Sequence, residues 1–266
     1  MRTSNRIRKR YYLLTALLMM TMLGGCGTAD AAVETEAASG KLMIAAAASL
    51  ENCLANEVIP LFNETYPDIV VTGTYDSSGK LQTQIEEGAP VDVFFSASTK
   101  QTDALAEEGL IEKSDIADLL ENKIVLIVPK GMEAEYKEFT DITKAAVTAV
   151  GDPQSVPAGQ YAQEALTNLG IWDEVLAKAS LGTNVTEVLN WVAEGSAEAG
   201  IVYATDAAQT EKVSVVAAAP ADSVKPVIYP VAVIKGCENA EAAKLFIEFL
   251  QTPEVTKIFE ANGFTL

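Results

Sequence analysis

The sequence predicts an α/β protein of two lobes, each a mostly parallel sheet flanked by helices, with a cleft between the lobes. Three observations predict it. Short apolar runs alternate with segments of helical spacing, starting with three strand–helix units in a row, which is how an open parallel sheet is built. Two longer apolar runs, at 124–129 and 227–234, stand outside those units and read as an outgoing and a returning crossing between lobes. Turns bearing serine, glycine or tyrosine fall at the ends of strands, where open α/β sheets bind ligands.

Each element has its own warrant. Residues 41–48 form a short apolar run, a buried strand. Ser49 ends it in the position of an N-cap, and Leu50, Cys53, Leu54, Val58, Leu61 and Phe62 follow at helical spacing. Residues 69–75 make a second strand, broken by Asp76-Ser-Ser-Gly79 before a helix starting at Leu81. A third strand covers 91–96 and a helix 99–109. In the second lobe, strands are expected at 124–129, 145–150, 199–203 and 213–218, and helices at 172–178 and 184–194. Two helices, 240–251 and 253–260, close the chain after the return strand. Between 145–150 and the next helix lies Gly151-Asp-Pro-Gln-Ser-Val-Pro-Ala-Gly159, a loop held by Pro153, Pro157 and Gly159. A helix that starts on small residues leaves backbone N–H groups bare and presents the positive end of its dipole, so this stretch suits an anion.

The N-terminus has a different character. Arg2, Arg6, Arg8, Lys9 and Arg10 precede a short apolar run at 11–23, an export signal too short to span a membrane. Leu23-Gly-Gly-Cys26 resembles a bacterial lipobox, which implies a signal peptide over 1–25 and a lipid on Cys26. Residues 26–40 are small and acidic, a flexible tether. One lobe is expected to comprise 41–122 and 229–266, the other 123–228. Without the signal, 19 − 5 = 14 Lys+Arg face 37 Asp+Glu, a net charge of −23. Such a surface excludes nucleic acid as a partner. The chain has no histidine, which removes the usual general base, the hydrolytic triads and most zinc sites. Cys53 and Cys237 show no disulfide or zinc spacing, although one bridge between them stays open. Trp172 and Trp191 read as packing residues, and Glu86–Glu87 and Glu107–Glu108 as solvated helix faces.

Several blocks resemble those of the molybdate-binding proteins of bacterial ABC-type molybdate importers. They are Ala46-Ala-Ala-Ser-Leu50, Ser77-Ser-Gly-Lys-Leu81, Gln84-Ile-Glu-Glu-Gly-Ala-Pro90, the Gly151–Gly159 loop, Gly200-Ile-Val-Tyr203 and Gly263-Phe264. The resemblance covers 41–266 and implies the two-lobed periplasmic-binding-protein fold of type II. It implies an oxyanion held by Ser49, Ser78 and Tyr203 through their hydroxyls and by Ala158 and Val185 through their amides. Molybdenum would enter only as the oxyanion, molybdate or tungstate, with no direct protein ligand and no cofactor. It further implies an exported, lipid-anchored monomer that delivers its ligand to an ABC permease and is not an enzyme. Asp76 departs from the small, neutral residue expected there and is expected to point away from the cleft.

The donor set suits that ligand. A fully deprotonated tetrahedral dianion offers acceptors only, so its site needs donors only. Two serine hydroxyls, one tyrosine hydroxyl and about four amides, at roughly 1.5–3 kcal/mol each, cover micromolar to nanomolar binding after ordering and desolvation losses. Other readings compete: a binding protein for sulfate or for phosphate, with Asp76 as acceptor for a protonated phosphate, an enzyme such as a transferase on the same fold, or a structural surface lipoprotein.

Overall fold

The computed structural model describes residues 39–266, so the signal segment, Cys26 and most of the tether lie outside the described residues. In chain order the first strands are β1 (Gly40–Ala47), β2 (Ile69–Asp76), β3 (Val93–Phe95), β4 (Ala117–Asn122) and β5 (Ile124–Pro129). They are followed by β6 (Thr148–Gly151), β7 (Ala179–Gly182), β8 (Ala199–Tyr203), β9 (Val213–Ala218) and β10 (Val227–Val233). Two five-stranded sheets result, ordered β2-β1-β3-β10-β4 and β7-β6-β8-β5-β9.

Both sheets are mixed, which refines the mostly parallel expectation. The strands of the βαβ units, β2-β1-β3 and β7-β6-β8, run parallel. The strands that carry the chain between lobes pair antiparallel: β10 with β3 and β4, β5 with β8 and β9. β4 and β5 are separated by Lys123 alone, so one chain segment serves both sheets. β4 and β7 have no counterpart in the sequence reading. They are edge strands, short or half exposed, and lack the continuous apolar run of a central strand. By contrast β5 buries Ile124, Val125, Leu126, Ile127 and Val128 in succession.

Helices cover the sheets by their apolar faces. The Val185–Ala193 helix buries Val185, Val188, Leu189 and Val192, an i, i+3, i+4, i+7 stripe. After β1 the chain runs helically from 48 to 65, with a 3-10 turn at Ala48–Leu50 and a π turn at Leu54–Val58. The N-cap of that turn is Ala47, and Ser49 lies inside it, so Ser49 does not cap the helix. Cys53 and Cys237 are both free thiols. Trp172 and Trp191 are partly buried against the core, and the paired glutamates of the first lobe are exposed. Among the described residues no helix is long and apolar enough to cross a membrane.

At the junction of the lobes, β10 shifts register against β4 between Tyr229 and Pro230, where proline has no N–H to give the ladder. Tyr229 is fully buried and packs edge-on against Tyr203 (ring centroids 5.5 Å) and Phe264 (5.4 Å). Phe264 is fixed in turn because Thr265 exchanges backbone hydrogen bonds of 2.7 and 3.1 Å with Glu121. Residues 264–265 therefore brace an aromatic residue at the junction of the lobes.

Candidate functional site

Three helix N-termini converge between the sheets. The Ser78–Glu86 helix starts after β2, the Pro157–Asn168 helix after β6, and the Val185–Ala193 helix after β7. Pro157 stands at the first helical position, where its missing N–H costs nothing, and leaves the Ala158 amide near the front of the helix. Gly159 is required by contact: a Cβ there would lie 2.0 Å from the Gly151 carbonyl oxygen, so only glycine lets this helix start seat on the end of β6. Asn184 caps the third helix by accepting from Glu187 N–H at 2.9 Å, which leaves the Val185 amide at the tip. Each start carries bare N–H groups and positive dipole potential.

These starts, with the turn after β1 and the end of β8, line one small cavity of about 10 Å³, on the order of the space that the centre of a single water can occupy. Ser49, Ser78, Ala158, Val185 and Tyr203 all line it, as does Ser77. All of them are buried, at no more than 4% exposure, so a hydrogen bond made here is shielded from water. The cavity lining contains no lysine or arginine, and its one carboxylate is Asp76. That carboxylate is already committed. It accepts from Ser77 N–H at 2.7 Å and from Lys80 Nζ at 3.2 Å, and Asn184 Nδ2 of the other lobe lies 3.4 Å away. Asp76 thus borders the cavity with its charge directed to the Lys80 ammonium and to neutral donors.

The pairings of the hydroxyls leave protons that the cavity can use. Ser78 Oγ accepts from Ala97 N–H at 3.0 Å, which leaves its own proton free. Ser49 Oγ lies 2.9 Å from Tyr229 Oη. Asn122 Nδ2 donates to Tyr229 Oη at 3.2 Å and to Thr205 Oγ1 at 2.9 Å. Its Oδ1 accepts from Lys123 N–H at 2.8 Å, which fixes the orientation of the amide. Since an amide NH₂ only donates, Tyr229 is free to donate to Ser49, and Ser49 to the cavity. Tyr203 Oη donates to the Ala97 carbonyl at 3.4 Å, a long bond that a charged acceptor would outcompete. Burial raises both Tyr203 and Tyr229 well above the ordinary phenol range, so both stay protonated donors. Beneath them Asp206 accepts from Tyr203 N–H at 3.2 Å, and burial pushes its carboxyl up to about 7.

The lobes touch at the rim of this cavity. Gly79 N–H donates to the Ser155 carbonyl at 2.9 Å, and Gln101 Nε2 to Gln160 Oε1 at 3.3 Å. Among the described residues no cluster of His, Cys, Asp and Glu could hold a metal ion. Sequence reasoning had no signal for Tyr229, Asn122 or Ala97, whose partners lie 180, 107 and 19 residues away. The arrangement is a buried pocket of neutral donors and helix dipoles, a chemistry that can hold a small anion without a counter-charge.

Known proteins share this architecture and much of the sequence. A Bacillus subtilis protein provisionally named an ABC transporter substrate-binding lipoprotein, YvgL, is 38% identical over 97% of this chain and 98% of its own. The molybdate-binding protein ModA of Escherichia coli is 40% identical over 85% of this chain and 90% of its own. The solved periplasmic molybdate-binding protein of Azotobacter vinelandii superposes with a TM-score of 0.73 at 24% identity, covering 85% of this chain and 99% of that one, a likeness of fold. The model of the bacterial extracellular solute-binding proteins matches residues 42–265, almost the whole described body, and the chain belongs to that family of binding proteins.

Proposed function

We propose that this protein captures molybdate, and also tungstate, outside the cytoplasm and delivers it to an ABC permease. The observation that carries the reading is the composition of the cavity. Ser49, Ser78 and Tyr203 offer hydroxyl protons, Ala158 and Val185 offer amides at helix starts, and the one carboxylate of the lining, Asp76, is committed to the Ser77 amide and Lys80. A tetrahedral dianion that only accepts is the complement of that set. Names borne by relatives at about 40% identity agree with it. Phosphate, which carries a proton part of the time near neutral pH, would gain from a free carboxylate, and Asp76 is already bound to Lys80 and to the Ser77 amide. In this reading residues 41–122 and 229–266 form one lobe and 123–228 the other, and the protein works as a monomer tethered through a lipid on Cys26.

A thermal-shift titration of the purified protein against molybdate, tungstate, sulfate and phosphate tests it. At ligand about 100 times Kd, stabilisation is roughly 2.7 kcal/mol and raises the midpoint by several degrees. A shift with molybdate and tungstate alone is expected. A shift with sulfate of equal size would move the reading to a general oxyanion receptor, and no shift with any of the four would overturn it. Fatty-acid labelling that a Cys26→Ala change abolishes is the expected outcome for the anchor.

A further inference from the structure

We infer that Ser77 is a further hydroxyl donor to the bound oxyanion, beside Ser49 and Ser78. The inference rests on the oxyanion reading and names one more residue of the same site. Ser77 has three polar groups, and the chain satisfies two of them. Its N–H donates to Asp76 Oδ1 at 2.7 Å and its carbonyl accepts from Leu81 N–H at 3.1 Å. Its hydroxyl oxygen is fully shielded and has no hydrogen-bond partner, although the residue is only 3% exposed. A buried hydroxyl without a partner is rare and costly. Ser77 is one of the residues that line the cavity, together with Ser49 and Ser78.

The position of Ser77 makes the unpaired hydroxyl more telling. It is the N-cap residue of the Ser78–Glu86 helix, with extended backbone angles of −62° and 141°. A serine there ordinarily turns its oxygen onto the second or third N–H of the helix. No such bond forms here, and the second N–H, that of Gly79, goes to the Ser155 carbonyl of the other lobe. Interlobe contact thus takes one of the two N–H groups that a cap would use, and the Ser77 hydroxyl has neither a donor to its oxygen nor an acceptor for its proton within the chain. Asp76, by holding the Ser77 N–H, pins the residue so that its hydroxyl is the one group left to bind.

Two variants test this by calorimetric titration of sodium molybdate into the whole protein, solubilised in mild detergent. Ser77→Ala removes the hydroxyl, and Ser77→Gly removes it while keeping a residue type that serves well as an N-cap. Both are expected to bind molybdate about 10- to 100-fold more weakly, the range of one hydrogen bond to a charged group. Both are expected to unfold, without ligand, within about 2 °C of the parent. Parental affinity in both variants would overturn the inference while leaving the oxyanion reading intact. A fall in the ligand-free midpoint of the alanine variant alone, with affinity unchanged, would likewise overturn it and make Ser77 a plain cap. If the parent protein binds none of molybdate, tungstate, sulfate or phosphate, the oxyanion reading itself fails, and the inference with it.

Discussion

Gly79 is the residue at which closure of the two lobes can be tested with one methyl group. Its N–H meets the Ser155 carbonyl of the other lobe at 2.9 Å. A Cβ at Gly79 would lie 2.4 Å from that oxygen and 2.7 Å from Ser155 Cα. Both are backbone atoms and cannot swing aside, so Gly79→Ala must part the lobes. Bringing 2.4 Å to a tolerable 3.0–3.4 Å needs a displacement of 0.6–1.0 Å (3.0 − 2.4 and 3.4 − 2.4). The same displacement stretches the 2.9 Å interlobe bond to at least about 3.5 Å, past the range of a useful N–H···O bond.

The consequence for binding follows from which donors sit on which side. Ser49 and Ser78 belong to the first sheet's side, and Ala158, Val185 and Tyr203 to the second's. An anion bound to one set is drawn away from the other. Weakening three charge-assisted bonds by about 1 kcal/mol each costs about 3 kcal/mol, on the order of 100-fold in Kd. Stability of the ligand-free protein should not fall in parallel, because alanine is about 1 kcal/mol better than glycine inside a helix. Calorimetric titration with molybdate reads the first effect, and thermal unfolding without ligand the second. Affinity within about threefold of the parent would refute the closure argument. So would a loss of ligand-free stability as large as the loss of affinity, since the contact would then belong to folding.

Three further perturbations probe the same site. Tyr229→Phe should weaken molybdate binding about 10-fold, because Ser49 loses the neighbour that directs its proton. In a double-mutant cycle with Ser49→Ala the two losses should fall short of additive by about 0.5 kcal/mol or more, and strict additivity would separate the residues. Lys80→Met should weaken binding about threefold to tenfold by leaving the Asp76 charge unneutralised beside a dianion, and Asp76→Asn in the same chain should restore it, as read by titration at low ionic strength. Asp206 carries the pH dependence. Its folded-state carboxyl sits near 7 against about 3.9 when unfolded, so the native state binds the extra proton and stability falls as pH rises through roughly 4 to 7. Asp206→Asn should flatten that fall, on the order of several kcal/mol, in chemical denaturation at pH 5 and pH 8, and an unchanged slope would show that Asp206 is not its source.

What the sequence made legible, and what it hid, divides along a physical line. The three helix starts were readable because their signals are local. Pro157 and Gly159 mark one. The Ser-Ser-Gly turn falls at another, which begins at Ser78 rather than at the expected Leu81. The third begins at Val185, one residue after the expected Asn184, and its donor role comes from the family resemblance and not from a distinctive local string. Backbone donors are a property of where a helix begins, so the positions that supply them can be named from a few adjacent residues. The strand–helix alternation was readable for the same reason, whereas the edge strands β4 and β7 were not, since their mixed exposure resembles a loop. Ser49 illustrates the other side of the line. Its place after an apolar run suggested an N-cap, but its hydroxyl is oriented by Tyr229, and Tyr229 by Asn122, across contacts 180 and 107 residues long. Nothing in the neighbourhood of Ser49, Tyr229 or Asn122 announces that chain. A hydroxyl is donor and acceptor at once, and the choice between the two is made by whatever stands behind it. For a site that presents protons, the donors are therefore written locally, while the neighbour that can direct the Ser49 hydroxyl stands at the junction of the lobes, behind an asparagine whose own amide is oriented by the next residue's N–H. The same division explains why Asp76 could sit beside the cavity without opposing an anion. Its charge is balanced by Lys80 one helical turn later, a local pairing, but it also reaches Asn184 of the other lobe, which ties the turn that bears Ser77 to the helix start that bears Val185.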